Sequence, residues 1–194
     1  QRGFVYYETS RGCPFHCSFC LSARDNLIRS YSMERIKSDL LLLMQQDVAK
    51  VKLVDRTFNF DANRAREIFS FILENNRSTH FHFEIAGHLL DEATLELLDQ
   101  VPEEMFQFEI GVQSTLESTL DAIGRKVNMK KLEENIRSLR KSNRIHMHLD
   151  LGFLGHAGNA CRARCHKPAP WGVRLEHRGP TGKFARLHAS ARRP

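Results

Sequence analysis

The chain has 194 residues, 41% hydrophobic and 27% charged, with a formal net charge of +6. That composition suits one globular domain with a sizeable core. The longest apolar run, residues 40 to 44, is far too short to span a bilayer, and no signal peptide is visible, so a cytoplasmic location without membrane contact is expected. The charge is uneven: residues 152 to 194 hold nine Lys or Arg against one acid, whereas the preceding stretch holds 20 against 22. The main body is slightly acidic, which excludes reading the total charge as a nucleic-acid surface.

In chain order, an apparent strand, Phe4 to Ser10, leads through Arg11-Gly12 into Cys13-Pro14-Phe15-His16-Cys17-Ser18-Phe19-Cys20. This C-x3-C-x2-C spacing puts three thiolates on one short loop and supplies no fourth. An iron-sulfur cubane has four irons, so three thiolates leave one iron open to a substrate or cofactor, which favours chemistry over structural support. A disulfide framework is disfavoured by the odd number and the short spans. A zinc knuckle remains the alternative and requires a fourth protein ligand.

Beyond the loop, Ser32 caps a segment with apolar residues at 33, 36, 40, 43 and 44, the spacing of one helical face. Lys50 to Asp55 alternates as a strand, and Asp61 caps a helix whose core face includes Ile68, Phe69, Ile72 and Leu73. The pattern repeats: a strand over 80 to 86, a helix from Asp91 to Leu98, a strand over 105 to 112, helices over 115 to 123 and 129 to 142, and a fifth strand over 144 to 151. Alternating strands and helices imply a parallel sheet with right-handed crossovers. Functional residues then gather at the carboxyl ends of the strands, where the cysteine loop, Asp55, Glu84 to His88, Gln113 and Asp150 fall. Glu109, opposite in parity to Phe108 and Ile110, faces the interior as a functional candidate. His80, His82, His146 and His148 sit two apart on strands; no third ligand completes a metal set, so they read as ordinary strand positions.

From Gly152 onward the texture changes to Gly, Pro, His and Arg without amphipathic period. We divide the chain into a core, 1 to 151, and a basic tail, 152 to 194, read as disordered or as an aberrant, frame-shifted sequence. Cys161 and Cys165 in this tail have metal-like spacing but lack a second ligand pair.

The cysteine loop, with Phe19 in its aromatic position, resembles the cluster-binding signature of radical S-adenosylmethionine (SAM) enzymes. The resemblance implies an α/β partial (βα)6 TIM-like barrel, truncated here after about five strands. It also implies a 4Fe-4S cluster on Cys13, Cys17 and Cys20, and SAM cleaved reductively to a 5'-deoxyadenosyl radical. A reductant such as flavodoxin or ferredoxin and a small-molecule or unknown substrate would be the partners. By the same resemblance Phe19 contacts adenine, Asp55 the SAM amino group, Glu84 and Gln113 the methionine and ribose ends, Arg125 the carboxylate, and Asp150 the ribose or adenine. Glu8-Thr9-Ser10-Arg11-Gly12-Cys13-Pro14-Phe15 and Asp55-Arg56-Thr57-Phe58 are most similar to radical SAM proteins that carry a cobalamin (B12)-binding domain, which would lie upstream. The fifth strand departs from the family pattern after Leu151, where Gly152-Phe153-Leu154-Gly155-His156 replaces the usual continuation. Two other branches, the methylthiotransferases and the coproporphyrinogen-oxidising enzymes, remain as alternatives. A zinc or ferredoxin-like binding module without SAM chemistry is the alternative from another class, and a truncated barrel without activity is a third.

Overall fold

A computed structural model describes residues 2–24, 27–152, 174–176 and 184–189. Nine strands and five α-helices lie within them: β1 (Arg2–Tyr7), β2 (Ser10–Arg11), β3 (Arg29–Ser30), α1 (Met33–Gln45), β4 (Val48–Leu53), α2 (Ala62–Asn75), β5 (His80–Ile85), α3 (Glu92–Leu98), β6 (Phe106–Gln113), α4 (Glu117–Ala122), α5 (Met129–Ser142), β7 (His146–Gly152), β8 (Arg174–Glu176) and β9 (Phe184–Ala189). The caps expected at Ser32, Asp61 and Asp91 form, each side chain accepting a hydrogen bond from the backbone N–H three residues on, of Arg35, Arg64 and Thr94. Asn128 does the same for α5, which ends where Asn143 turns left-handed at φ 54°.

The main sheet runs in the order β1-β4-β5-β6-β7-β9-β8. Its first five members are mutually parallel, as the strand-helix alternation requires. Period two divides their side chains between two faces. One face carries Val51, Leu53, Phe81, Phe83, Phe106, Phe108, Ile110 and Leu149, all fully buried in a single core with Ile36 and Leu40 of α1, Ile68, Phe69 and Ile72 of α2, and Ile136 of α5. Phe69 is central to it, with ring centroids 5.1 to 5.9 Å from Phe58, Phe83, Phe106 and Phe108. Interlocked rings at such spacings add specific edge and offset contacts to the burial of their area. The opposite face is polar: Lys50, Lys52, His82, Glu84, Gln107, Glu109, His148 and Asp150 succeed one another across it.

Nine residues of the tail beyond Gly152 are described, in two short strands. They extend the sheet, β9 pairing antiparallel with β7 from Gly152↔Phe184 to Met147↔Ala189, and β8 pairing antiparallel with β9. A short period-two alternation, Ala185, Leu187 and Ala189 against Arg186 and His188, is the signal that the glycine, proline and arginine content obscured. These strands do not supply the sixth parallel strand of a (βα)6 barrel. Cys161 and Cys165 lie outside the described residues.

Candidate active site

The cysteine loop leaves the carboxyl end of β1, at the sheet edge where the ends of β4 to β7 converge. Gly12 makes the turn into it possible: at φ 106° its conformation is one that side-chain-bearing residues rarely adopt, and a Cβ there would collide with the carbonyl of Leu27. Cys17 is buried, Cys13 and Cys20 are partly exposed, and all three are free thiols. Cys13 Sγ lies 3.5 Å from Thr57 Oγ1. A Cys17 contact is more informative: Arg125 Nη1 donates to its Sγ at 3.6 Å.

The turn after α4 holds that part of the loop. Ser18 N–H donates to the Ile123 carbonyl at 2.9 Å, and Gly124, at φ 68°, packs where a Cβ would press on the His16 carbonyl. Arg125 is fixed by two further contacts and keeps one spare donor. Its Nη2 donates to the Gly111 carbonyl at 2.9 Å, its guanidinium lies 4.8 Å over the Phe15 ring, and its buried Nε has no hydrogen-bond partner among the described residues. Gly111 leaves room for this: a Cβ there would meet Gln113 Nε2 and Arg125 Nη2. The pairing of β6 with β7 shifts between Gly111 and Gln113, and Gln113 adopts φ 66°. This bulge re-aims the Gln113 side chain over Gly111. Asp150 is the β7 partner of Gly111 in the register.

Cys17, Gly111, Gln113 and Arg125 therefore form one cluster, with Asp150 beside it. Glu84 sits deeper on the polar face, directly opposite Glu109 on β6. Burial, and then the charge of Glu109, push the Glu84 carboxyl above the usual carboxylate range. Glu109 pairs with His82, Oε2 to Nε2 at 3.2 Å. His146 and His148 touch each other, Nε2 to Nε2 at 2.9 Å. Phe19 is exposed on the loop surface.

Asp55 is placed differently from the ligand-facing position that the resemblance implied. It is completely buried, accepting from Thr9 Oγ1 at 2.6 Å, Ser10 Oγ at 2.5 Å and the Thr9 N–H at 3.2 Å, with Arg64 Nη2 at 3.9 Å. Its oxygens tie the end of β4 to the residues that enter the cysteine loop. Sequence reasoning gave no role to Thr9, Ser10, Phe15, Thr57, Asn59 or Gly111. Only Gly111, a glycine inside an otherwise alternating strand, carried a local signal of close approach.

Among the described residues, no three His, Cys, Asp or Glu side chains are grouped to hold a metal ion. One zinc ion would draw its thiolates to within about 4 Å of one another, whereas a cubane presents a separate iron to each. Among the described residues there are three free thiols, one of them facing a fixed guanidinium, and they fit such a cluster, whose open iron needs no protein ligand.

A parallel α/β sheet with a three-cysteine loop at its carboxyl edge defines an enzyme core of the partial-barrel type. Residues 7–160 match the model of the radical SAM superfamily, and the chain belongs to that superfamily, whose members use a 4Fe-4S cluster and SAM. It is 35% identical over 68 residues to an uncharacterized methyltransferase of Pyrococcus horikoshii, covering 34% of this chain and 15% of that protein. It is also 35% identical over 63 residues to the cobalamin-dependent radical SAM methyltransferase TokK of Streptomyces tokunonensis, covering 30% and 9%. In fold it is similar to the radical SAM methyltransferase TsrM of Kitasatospora setae, with a TM-score of 0.63, 18% identity, and coverage of 75% of this chain and 29% of that one. The cobalamin-dependent radical SAM enzyme OxsB is similar at a TM-score of 0.56 and 18% identity, covering 73% and 23%. The chain thus spans under a third of the length of each of these relatives. No described helix is long and apolar enough to cross a membrane.

Proposed function

We propose that this chain is the cluster- and SAM-binding core of a radical SAM enzyme of the cobalamin-dependent branch, acting in methyl transfer or C–H functionalisation. The observation that carries the reading is the buried Cys17 thiol facing Arg125, in a three-cysteine loop at the carboxyl edge of five parallel strands. Cys13, Cys17 and Cys20 would hold the 4Fe-4S cluster. When bound, that cluster supplies the electron that breaks a carbon-sulfur bond of SAM.

The chain's own residues arrange the ligand. Gln113, re-aimed by the β6 bulge, and Asp150 opposite Gly111 would bind the ribose side of SAM, and exposed Phe19 would meet the adenine. Glu84, on the polar face and only partly exposed, is available to the SAM ammonium, a cation that would offset its cost beside Glu109. Asp55 acts by fixing the loop entrance. The substrate would be a small molecule, with a reductant such as flavodoxin or ferredoxin supplying electrons. The cobalamin assignment is supported by the names of TokK and OxsB and by the Asp55-Arg56-Thr57-Phe58 run.

The test is anaerobic reconstitution with iron and sulfide, followed by reduction and addition of SAM. About four irons per chain and formation of 5'-deoxyadenosine, both lost in Cys17→Ala, support the reading. Zinc bound in preference to a cluster, and released only when Cys161 and Cys165 are replaced together, would instead make the chain a metal-binding module.

A further inference from the structure

We infer that Arg125 tunes the reduction potential of the cluster through the thiolate of Cys17; this rests on the cluster reading above. Cys17 is the most buried of the three cysteines, so the charge on its sulfur is the least screened by water. Arg125 Nη1 donates to that sulfur, while three other features keep the guanidinium from turning away. Nη2 is engaged by the Gly111 carbonyl at 2.9 Å, the plane rests on Phe15 at 4.8 Å, and the residue follows Gly124, whose φ of 68° sets the turn. The Ser18–Ile123 backbone hydrogen bond, at 2.9 Å, holds the loop against the same turn. The arrangement is a clamp on one cluster ligand.

Reduction of the cluster by one electron adds negative charge to the iron, sulfide and thiolate unit. A hydrogen bond and a fixed positive charge at a ligand sulfur stabilise the reduced form more than the oxidised one, so they raise the potential. A cluster that must be reduced by a flavodoxin- or ferredoxin-type donor before SAM is cleaved benefits directly. Arg125 in this role is a positioning residue that acts through Cys17 and does not require SAM. The expectation from family resemblance, that Arg125 pairs with the SAM carboxylate, makes a different prediction. A pure carboxylate ligand leaves the potential of the SAM-free cluster unchanged.

The experiment is a redox titration of the full reconstituted chain without SAM, followed by the electron paramagnetic resonance of the reduced cluster, for the unsubstituted protein, Arg125→Ala, Arg125→Gln and Lys126→Ala. SAM affinity is measured in parallel. Arg125→Ala should shift the midpoint to more negative potential, and Arg125→Gln, which removes the charge and leaves only a shorter neutral N–H donor, should shift it in the same direction and by no more. Lys126→Ala removes the same charge from an exposed neighbour and should leave it in place. If Arg125→Ala loads too little iron to titrate, the Gln variant carries the comparison. Unchanged potentials in Arg125→Ala and Arg125→Gln with weakened SAM binding would overturn the inference and leave Arg125 as a carboxylate ligand. Equal shifts in the Lys126 and Arg125 variants would overturn it in favour of general surface charge. An unsubstituted chain that takes up no iron overturns the cluster reading itself, and the inference with it.

Discussion

Thr9 Oγ1 donates to Asp55 Oδ1 at 2.6 Å inside the protein, joining the carboxyl ends of β1 and β4 four residues before the first cysteine. Ser10 and the Thr9 N–H donate to the same carboxylate, and Arg64 of α2 bonds Thr9 Oγ1 from the other side. The loop therefore starts from a point fixed by four groups on three elements. A loop that presents ligands with the accuracy a metal cluster needs has to start from such a point.

Removing that carboxylate should cost more than any single hydrogen bond. In Asp55→Ala the Thr9 and Ser10 hydroxyls lose their acceptor, and the nearly buried Arg64 cation loses its counter-charge. Breaking a buried pair from one side costs about 3 to 5 kcal/mol. Asp55→Asn also removes the counter-charge of Arg64 but keeps an acceptor oxygen, so it should cost less than Ala by about 1 kcal/mol, the worth of the hydrogen bond it keeps. Urea unfolding gives both values, and iron uptake should fall in the same order. Equal stability of the Ala variant and the unsubstituted protein would contradict the anchoring role.

Gly12→Ala should damage the site without touching a ligand. The φ of 106° and the Leu27 carbonyl both oppose a side chain, so the loop must shift beside Cys13. The strain is about 1 to 3 kcal/mol. The expected result is a folded protein, by its far-ultraviolet circular dichroism, that retains well under half of the cluster iron.

The sequence announced most of the fold because its signals were local. Ser32, Asp61 and Asp91 cap where they stand, and alternation in Phe81-His82-Phe83-Glu84-Ile85 and Phe106-Gln107-Phe108-Glu109-Ile110 sets two faces without reference to anything distant. The spacing of the three cysteines is a local signal of the same kind. What escaped was contact between elements far apart in the chain. Nothing near Asp55 says that its partners are Thr9 and Ser10, and nothing near Arg125 says that Cys17 lies 108 residues away within reach. The tail strands escaped for another reason: three residues of β8 and six of β9 are too few to stand out against a Gly- and Arg-rich background.

Asn59 should prove necessary to the strand end that carries Glu84. Its Nδ2 donates to the Ala86 carbonyl at 3.0 Å, and its Oδ1 accepts from the Ala86 N–H at 2.9 Å, with every atom of the pair in the interior. Asn59→Leu leaves both backbone groups buried and unpaired, a cost of about 2 kcal/mol or more. Asn59→Asp keeps the acceptor but sets a carboxylate oxygen against the Ala86 carbonyl, so it should be rescued only in part. Thermal unfolding of the three proteins orders them, the unsubstituted form highest and Leu lowest.

Acid sensitivity should have a contribution from His88, whose ring lies 5.7 Å from that of Phe15 in the cysteine loop. Burial, and then the charges of Arg125 and Lys131, push its pKa from 6.5 down to about 4. The folded state thus prefers the neutral ring, while the unfolded chain takes up a proton near pH 6.5. Stability from this group is complete above pH 6.5 and is lost as pH falls from there toward 4, the unfolded state binding more protons throughout that window. His88 is partly exposed, so solvent screening reduces the effect below what the shift alone would give. His88→Gln should flatten the fall in urea midpoint between pH 6.5 and 4 and change little at pH 8. An identical pH dependence in the two proteins would show that the ring remains hydrated and free to protonate in the fold.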